Sequence, residues 1–182
     1  MPRTHYRPYL ILAARVLLAW TLFRYGWAKL TDGQFGVDEK TMTLPLKEVD
    51  LFRLSWYLAE HQPFKSFIGI SQILIAPLLI ITRTSIIGAL ISIPVWLNIL
   101  VWDITFMGGM STAFTFRLSF YLLLTGLIIY DRKDEVLVAI DSISQPAKKF
   151  KHSLWIYISL PVAALILEII GALPNAILTL LR

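Results

Sequence analysis

Five stretches of the chain are long and apolar enough to cross a lipid bilayer, at about 9–30, 64–82, 85–107, 113–130 and 154–181. A hydrocarbon core about 30 Å thick needs roughly 20 such residues in one helix. Backbone groups left unpaired in lipid are too costly for any open structure. The pattern therefore predicts an all-α integral membrane helix bundle, a single domain over residues 1–182. Composition agrees with it. Hydrophobic residues make up 57% and charged residues 16%, against about 25% charged in soluble domains. The net charge of +5 then reads as Lys and Arg at a membrane surface, and no nucleic-acid partner is expected.

The first stretch follows Arg3 and Arg7 in the manner of a signal peptide, but Arg15 interrupts it. No small-residue cleavage site follows, so it reads as an uncleaved first span. Charge sets the expected topology. With a cytoplasmic N-terminus, Arg3, Arg7, Arg83, Arg132, Lys133, Lys148, Lys149 and Lys151 fall inside. Lys40, Lys47, Arg53 and Lys65 fall outside, among acids. This bias predicts a multi-pass protein of the bacterial inner (cytoplasmic) membrane, with the C-terminus outside after five spans. Two connections read as interfacial amphipathic helices. Residues 48–60 place Leu51, Phe52, Leu54, Trp56 and Leu58 among charges at the outer surface. Residues 135–144 carry a stripe of Val136, Leu137, Ile140 and Ile143, ended by Pro146. Lys148, Lys149 and Lys151 would then face anionic headgroups.

The chain has no cysteine, which removes disulfides, thiolate catalysis and Cys-ligated metal sites. Its three histidines, His5, His61 and His152, lie outside the apolar stretches. No metal-ligand spacing, nucleophile triad, phosphate-binding or dinucleotide motif is present. Chemistry then rests on the polar residues at membrane depth, where a charge costs about 2.5–3.5 kcal/mol. They are Arg15, Arg24, Lys29, Gln72, Asn98, Asp103, Arg117 and Glu168. Helical spacing puts Arg15 and Lys29 on one face and Arg24 on the opposite one. The economical pairings are Asp103 with Arg24 or Arg117, and Arg15 with Glu168 or Gln72. One reading makes these pairs that fix helix register. A second makes them a pocket for the polar head of a lipophilic ligand, with Trp20 and Trp96 as apolar walls. A third runs a proton path through Glu168. Gly88 and Ser92 form a small-xxx-small pair that suits close helix packing, and Pro94 and Pro161 can kink their helices. Trp102, near a span end, reads as part of the interfacial aromatic belt.

Several short motifs point further. Arg15 is followed by Phe23-x-x-Gly26-x-x-Lys29-Leu30, and Gly69-x-x-Gln72 lies in the second span. Leu79-Ile-Ile-Thr82-Arg83-Thr84 leads through Gly88-Ala-Leu-Ile into Pro94-Val-Trp-Leu-Asn98. Over about residues 10–130 this resembles the DoxX-like family of small bacterial membrane proteins. The resemblance implies a four-helix core, here with a fifth C-terminal transmembrane helix and an outer amphipathic helix. Some members look like subunits of quinone-linked oxidoreductases, such as thiosulfate:quinone oxidoreductase. Gln72 stands where relatives often have Glu, and the Ile-Thr-Phe-Met-Gly-Gly-Met after Asp103 replaces an Asp…Pro-Val-Lys pattern. Arg117 is the nearest basic residue there.

The expected function is to bind a quinone-like or other lipophilic molecule, or to serve as an accessory subunit of a quinone-linked redox complex. The chain would supply no intrinsic cofactor, no metal site and no catalysis of its own, so a bound quinone would be its ligand. The candidate ligand-binding residues are Arg15, Trp20, Arg24, Lys29, Gln72, Trp96, Asn98, Asp103 and Arg117. Expected partners are membrane lipids, redox-complex subunits or a second copy of the chain. Two alternatives are a transporter of small solutes or protons using Glu168, and a structural membrane-assembly protein without a ligand.

Overall fold

The computed structural model describes residues 6–144 and 153–180. Arg3, His5, Pro146, Lys148, Lys149, Lys151 and His152 lie outside the described residues. The helices are α1 (Tyr6–Leu30), α2 (Glu39–Met42), α3 (Leu51–Ala59), α4 (Phe64–Ile80), α5 (Ser85–Phe106), α6 (Ser111–Asp131), α7 (Lys133–Ser144) and α8 (Leu154–Leu180). Among the described residues there is no strand. The chain divides into two compact units, Met1–Ile140 and Asp141–Arg182, with the boundary inside α7.

In the first unit α1, α4, α5 and α6 close into a ring, α1 packing on α4, α4 on α5, α5 on α6 and α6 back on α1. The connections α4–α5 and α5–α6 are short, and α1 meets α4 with Gly26 against Gly69 and Arg15 against Leu79, so these helices run antiparallel in up-down order. One end of the bundle carries the turn Thr82–Arg83–Thr84, and the other carries the connection over residues 31–63. We call them the turn end and the loop end. Segments Tyr6–Leu30, Ser85–Phe106, Thr112–Asp131 and Leu154–Gly171 are each long and apolar enough to span a membrane. At 17 residues α4 reaches only about 26 Å, and it meets α3 at a bend of 81°. The protein is a multi-pass helical membrane bundle.

Side chains sort as lipid requires. Leu18, Leu22, Leu79, Trp96, Leu118 and Ile128 fill the interior. Leu12, Val16, Leu74, Ile87, Leu90, Val101 and Leu127 stand exposed on the exterior. Such an apolar surface would be a liability in water but is well solvated by acyl chains. Small residues set how closely the helices approach. A Cβ on Gly26 would lie 2.5 Å from the Gly69 carbonyl oxygen, and one on Gly88 would lie 2.8 Å from the Leu79 amide nitrogen. Gly88 and Ser92 are both buried, as the small-xxx-small reading expects. Pro94 and Pro161 each lie within a single continuous helix.

The loop end departs from the sequence reading. The amphipathic helix expected at 48–60 is α3, shorter at Leu51–Ala59. Asp50 caps it by accepting a hydrogen bond from the Arg53 amide at 2.9 Å, which starts the helix at residue 51. Leu46–Glu48 forms a separate 3₁₀ turn. The four-residue α2 was not foreseen. The Asp38 carboxyl accepts from both the amide and the hydroxyl of Thr41. These bonds hold it below the ordinary carboxylate range, so this cap survives acidification and is lost only as pH falls through that lowered value. The helix expected at 135–144 is α7, which begins two residues earlier at Lys133.

Buried Lys65, at the start of α4, pairs with Asp32 and lies 4.0 Å from Glu60. It ties the helix to the loop above it. Lys65→Met is expected to loosen that loop by about 2 kcal/mol. The check is limited proteolysis, with cleavage at residues 31–36 appearing earlier while the helical signal melts at nearly the same temperature.

Candidate functional site

At the loop end the four-helix ring opens into a cleft of about 340 Å³. Its polar lining is Arg24, Lys29, Gln34, Asn98 and Asp103, and its aromatic lining is Tyr25, Phe35, Trp56, Phe64, Trp102 and Phe114. α1 supplies Lys29 one residue before its end, and α5 supplies Asp103 in its last turn. Antiparallel packing around the ring brings α1's C-terminus, α5's C-terminus and α6's N-terminus to the same mouth.

Lys29 is the centre of the arrangement. It is 4% exposed. Its ammonium donates to Gln34 Oε1 at 2.8 Å and to the Tyr25 carbonyl at 3.4 Å. The Tyr25 and Phe35 ring centroids stand 5.5 and 5.2 Å from it, so two π-faces offset part of its lost hydration. Gln34 and Phe35 reach this place through an unusual turn. Asp32 and Phe35 have φ of 57° and 74°, and Gly36 follows at 84°. For a residue with a Cβ this region costs about 1–2 kcal/mol, and such strain concentrates at functional positions. Phe35 also meets Trp56 edge-on at 6.1 Å, and Phe64 stacks on Trp102 at 6.4 Å.

Asp103 is 9% exposed. Among the described residues no ion pair engages it within 4.0 Å. Lys29 lies with it in the lining of the same cleft. An ammonium and a carboxylate thus face one aromatic-walled space without closing on each other. Such a space offers a strong donor and a strong acceptor to the oxygen atoms of a flat ring.

The structure gathers Arg24, Lys29, Asn98 and Asp103 at the cleft. Arg24 is exposed there. Arg117 stands beside the cleft, 5.9 Å from the Phe114 ring centroid. Neither arginine pairs with Asp103, which corrects the expected pairing: Lys29, one turn beyond Tyr25, projects into the cleft instead.

Arg15 lies away from the cleft, at the turn end. Its guanidinium donates to the carbonyls of Leu79 at 2.7 Å and Ile80 at 2.5 Å, and reaches Thr82 Oγ1 at 3.5 Å. It caps the last carbonyls of α4, so it does not pair with Gln72. Glu168 sits on α8, in the second unit. Trp20 stands on the apolar exterior in a row with Phe23 and Trp27, at centroid spacings of 6.2 and 6.1 Å. Gln72 and Trp96 are wholly buried in the bundle and are not part of the cleft lining. The sequence reading missed Tyr25, Gln34, Phe35, Trp56, Phe64 and Phe114, and it assigned Trp102 to the aromatic belt. The Tyr25–Lys29 spacing of one helical turn and the Trp102-Asp103 dipeptide were available signals. The turn that delivers Phe35 was not. Among the described residues no group of three His, Asp or Glu side chains could hold a metal ion.

Comparison with known proteins adds one relative. Over 111 residues the chain is 34% identical to the uncharacterized protein YwoB of Bacillus subtilis (strain 168), covering 60% of this chain and 71% of YwoB. The chain belongs to the YwoB family. No family model matches it, and no solved structure matches it. The relation to YwoB brings no activity with it, so the functional reading rests on the cleft.

Proposed function

We propose that the cleft binds a lipophilic small molecule whose head is a flat, oxygen-bearing ring of the quinone type. The observation that carries this reading is the buried Lys29 ammonium facing the Asp103 carboxylate between aromatic walls. A ring carbonyl or anionic oxygen accepts from Lys29, a ring hydroxyl donates to Asp103, and Phe64, Trp102 and Phe114 bound the ring. The exterior of the bundle is apolar, which suits entry of such a ligand from the membrane. The DoxX-like resemblance, which includes Gly26, Lys29 and Asn98, is in keeping with a quinone-linked role, either as a ligand-binding protein or as an accessory subunit of a redox complex.

The same reading places the protein in the bacterial inner membrane with its N-terminus and turn end cytoplasmic. Arg7, Arg15, Arg83, Arg132 and Lys133 cluster toward the turn end, whereas Lys40, Lys47 and Arg53 at the loop end lie among Glu39, Glu48 and Asp50. This asymmetry follows the positive-inside rule. The cleft then opens toward the outer face.

Lys29→Met tests the site. It keeps the length of the side chain and removes the charged donor, so ubiquinone-1 affinity should fall about 10- to 100-fold. Asp103→Asn should alter affinity less, because an amide still hydrogen-bonds. Binding isotherms in detergent are the measurement, and unchanged affinity in a folded Lys29→Met protein would remove the cleft from consideration.

A further inference from the structure

Beneath the cleft lies a layer of buried polar atoms with no partner. Gln72 and Trp96 are each 0% exposed. Gln72 Nε2, Gln72 Oε1 and Trp96 Nε1 have no hydrogen bond among the described residues. Unpaired buried donors and acceptors are destabilising, the more so where no water can reach them. Three of them in one bundle call for an explanation.

They share a level. Helices α4 and α5 run antiparallel and touch where Gly88 meets the Leu79 amide. Gln72 lies seven residues from Leu79 toward the loop end, and Trp96 eight residues from Gly88 toward the same end. At about 1.5 Å per residue both stand roughly 10–12 Å along the bundle from that contact. Ile68 is one turn above Gln72 on its face of α4, and Ile99 is one turn above Trp96 on its face of α5. Both isoleucines line the cleft, so the Gln72–Trp96 layer sits directly under its floor. The Tyr121 ring packs on Trp96 at 5.0 Å. Ordinary rotamer changes at two aliphatic side chains would connect cleft and layer.

We propose that Gln72 and Trp96 form the deep end of the binding site, and that this end selects the hydroxyl-bearing, quinol-type head over its carbonyl-only counterpart. The inference rests on the quinone-type reading of the cleft. Its chemistry follows from the orphan atoms. Gln72 offers two N–H donors and one acceptor oxygen, and Trp96 offers one donor. A quinone carbonyl accepts from the donors but leaves Gln72 Oε1 unpaired. A quinol hydroxyl accepts from Trp96 Nε1 or Gln72 Nε2 and donates its own proton to Gln72 Oε1. Sites built to pair a ligand hydroxyl discriminate strongly against analogues that lack it.

The test compares ubiquinone-1 with its reduced form, ubiquinol-1, by anaerobic calorimetry on the full chain in detergent. In the native sequence the quinol should bind about tenfold more tightly or better. Gln72→Leu removes the amide at nearly constant volume. It should bring quinol affinity down to that of the quinone while the quinone changes less than about twofold. Ile68→Phe leaves Gln72 intact but obstructs the floor, and should abolish the preference in the same way, which keeps the test open if Gln72→Leu does not fold. Equal affinities in the native sequence, or a preference that survives both exchanges, overturn the deep-end inference and leave the cleft standing. If neither form binds, the quinone-type reading of the cleft falls and this inference with it.

Discussion

Gly26→Val is expected to destabilise the bundle by about 3 kcal/mol, the upper end for forcing volume into a packed contact. The reason is backbone, not side chain. A Cβ at this position would lie 2.5 Å from the Gly69 carbonyl oxygen and 2.8 Å from Ile73 Cγ1. A carbonyl in a helix cannot step aside as a flexible side chain can, so α1 and α4 must separate along their shared face. Leu18, Leu22, Ile75 and Leu79 belong to the same core and would lose contacts with it. Gly126 supplies the control. Nothing lies within 4 Å of its Cβ position, so Gly126→Val should be nearly neutral. Thermal melts followed by circular dichroism in one detergent separate the two variants. Equal melting temperatures would mean that α1 and α4 do not cross closely at Gly26.

Arg15→Ala should cost a similar amount, about 3 kcal/mol, by a different route. It removes a charged donor shared between the Leu79 and Ile80 carbonyls. Charge-assisted hydrogen bonds are worth roughly 1.5–3 kcal/mol each, and buried acceptors left behind add their own penalty. Arg15→Lys should recover only part of the loss. One ammonium cannot reproduce the planar fork that reaches two successive carbonyls and Thr82. Ligand affinity at the cleft should stay close to native in any Arg15 variant that folds, since Arg15 caps α4 at the other end. A folded Arg15→Ala protein that melts as the native one does would show that the cap carries no stability. Arg132 also donates to the Thr82 carbonyl, at 3.3 Å, and pairs with Glu135. The turn end therefore holds two arginines on one short connection.

The helices were legible in the sequence because lipid leaves so little choice. Runs of about 20 apolar residues can be paired internally only as helices. The apolar segments thus appear close to where periodicity and length put them, and α5 keeps Pro94 within an unbroken helix. Faces were legible too: Arg15 and Lys29 share the buried side of α1, and Arg24 the opposite side. Partners were not. Charge counting paired Asp103 with an arginine and Arg15 with Glu168 or Gln72, because opposite charges at similar depth are the cheapest guess. The fold satisfies Arg15 with backbone carbonyls instead, and those have no sequence signature.

The cleft shows the same division. Lys29, Arg24, Asn98 and Asp103 stand out as polar residues in apolar helices. Phe35 and Trp56 come from a connection whose course depends on a left-handed turn and on the Lys65–Asp32 and Lys65–Glu60 contacts. Those are tertiary facts, and composition does not predict them. Trp102 looked interfacial by position alone. It lines the cleft together with its neighbour Asp103.

On the function proposed above, the loop-end cleft holds a quinone-type molecule at Lys29 and Asp103. Native mass spectrometry of the full chain released from mild detergent tests it most directly, with ubiquinone-1 added in increasing amounts. One saturable adduct of the quinone mass per chain is expected, lost in Lys29→Met and retained in Arg15→Lys. Bare protein carrying only bulk phospholipid at every concentration, or an adduct that Lys29→Met leaves intact, would contradict it.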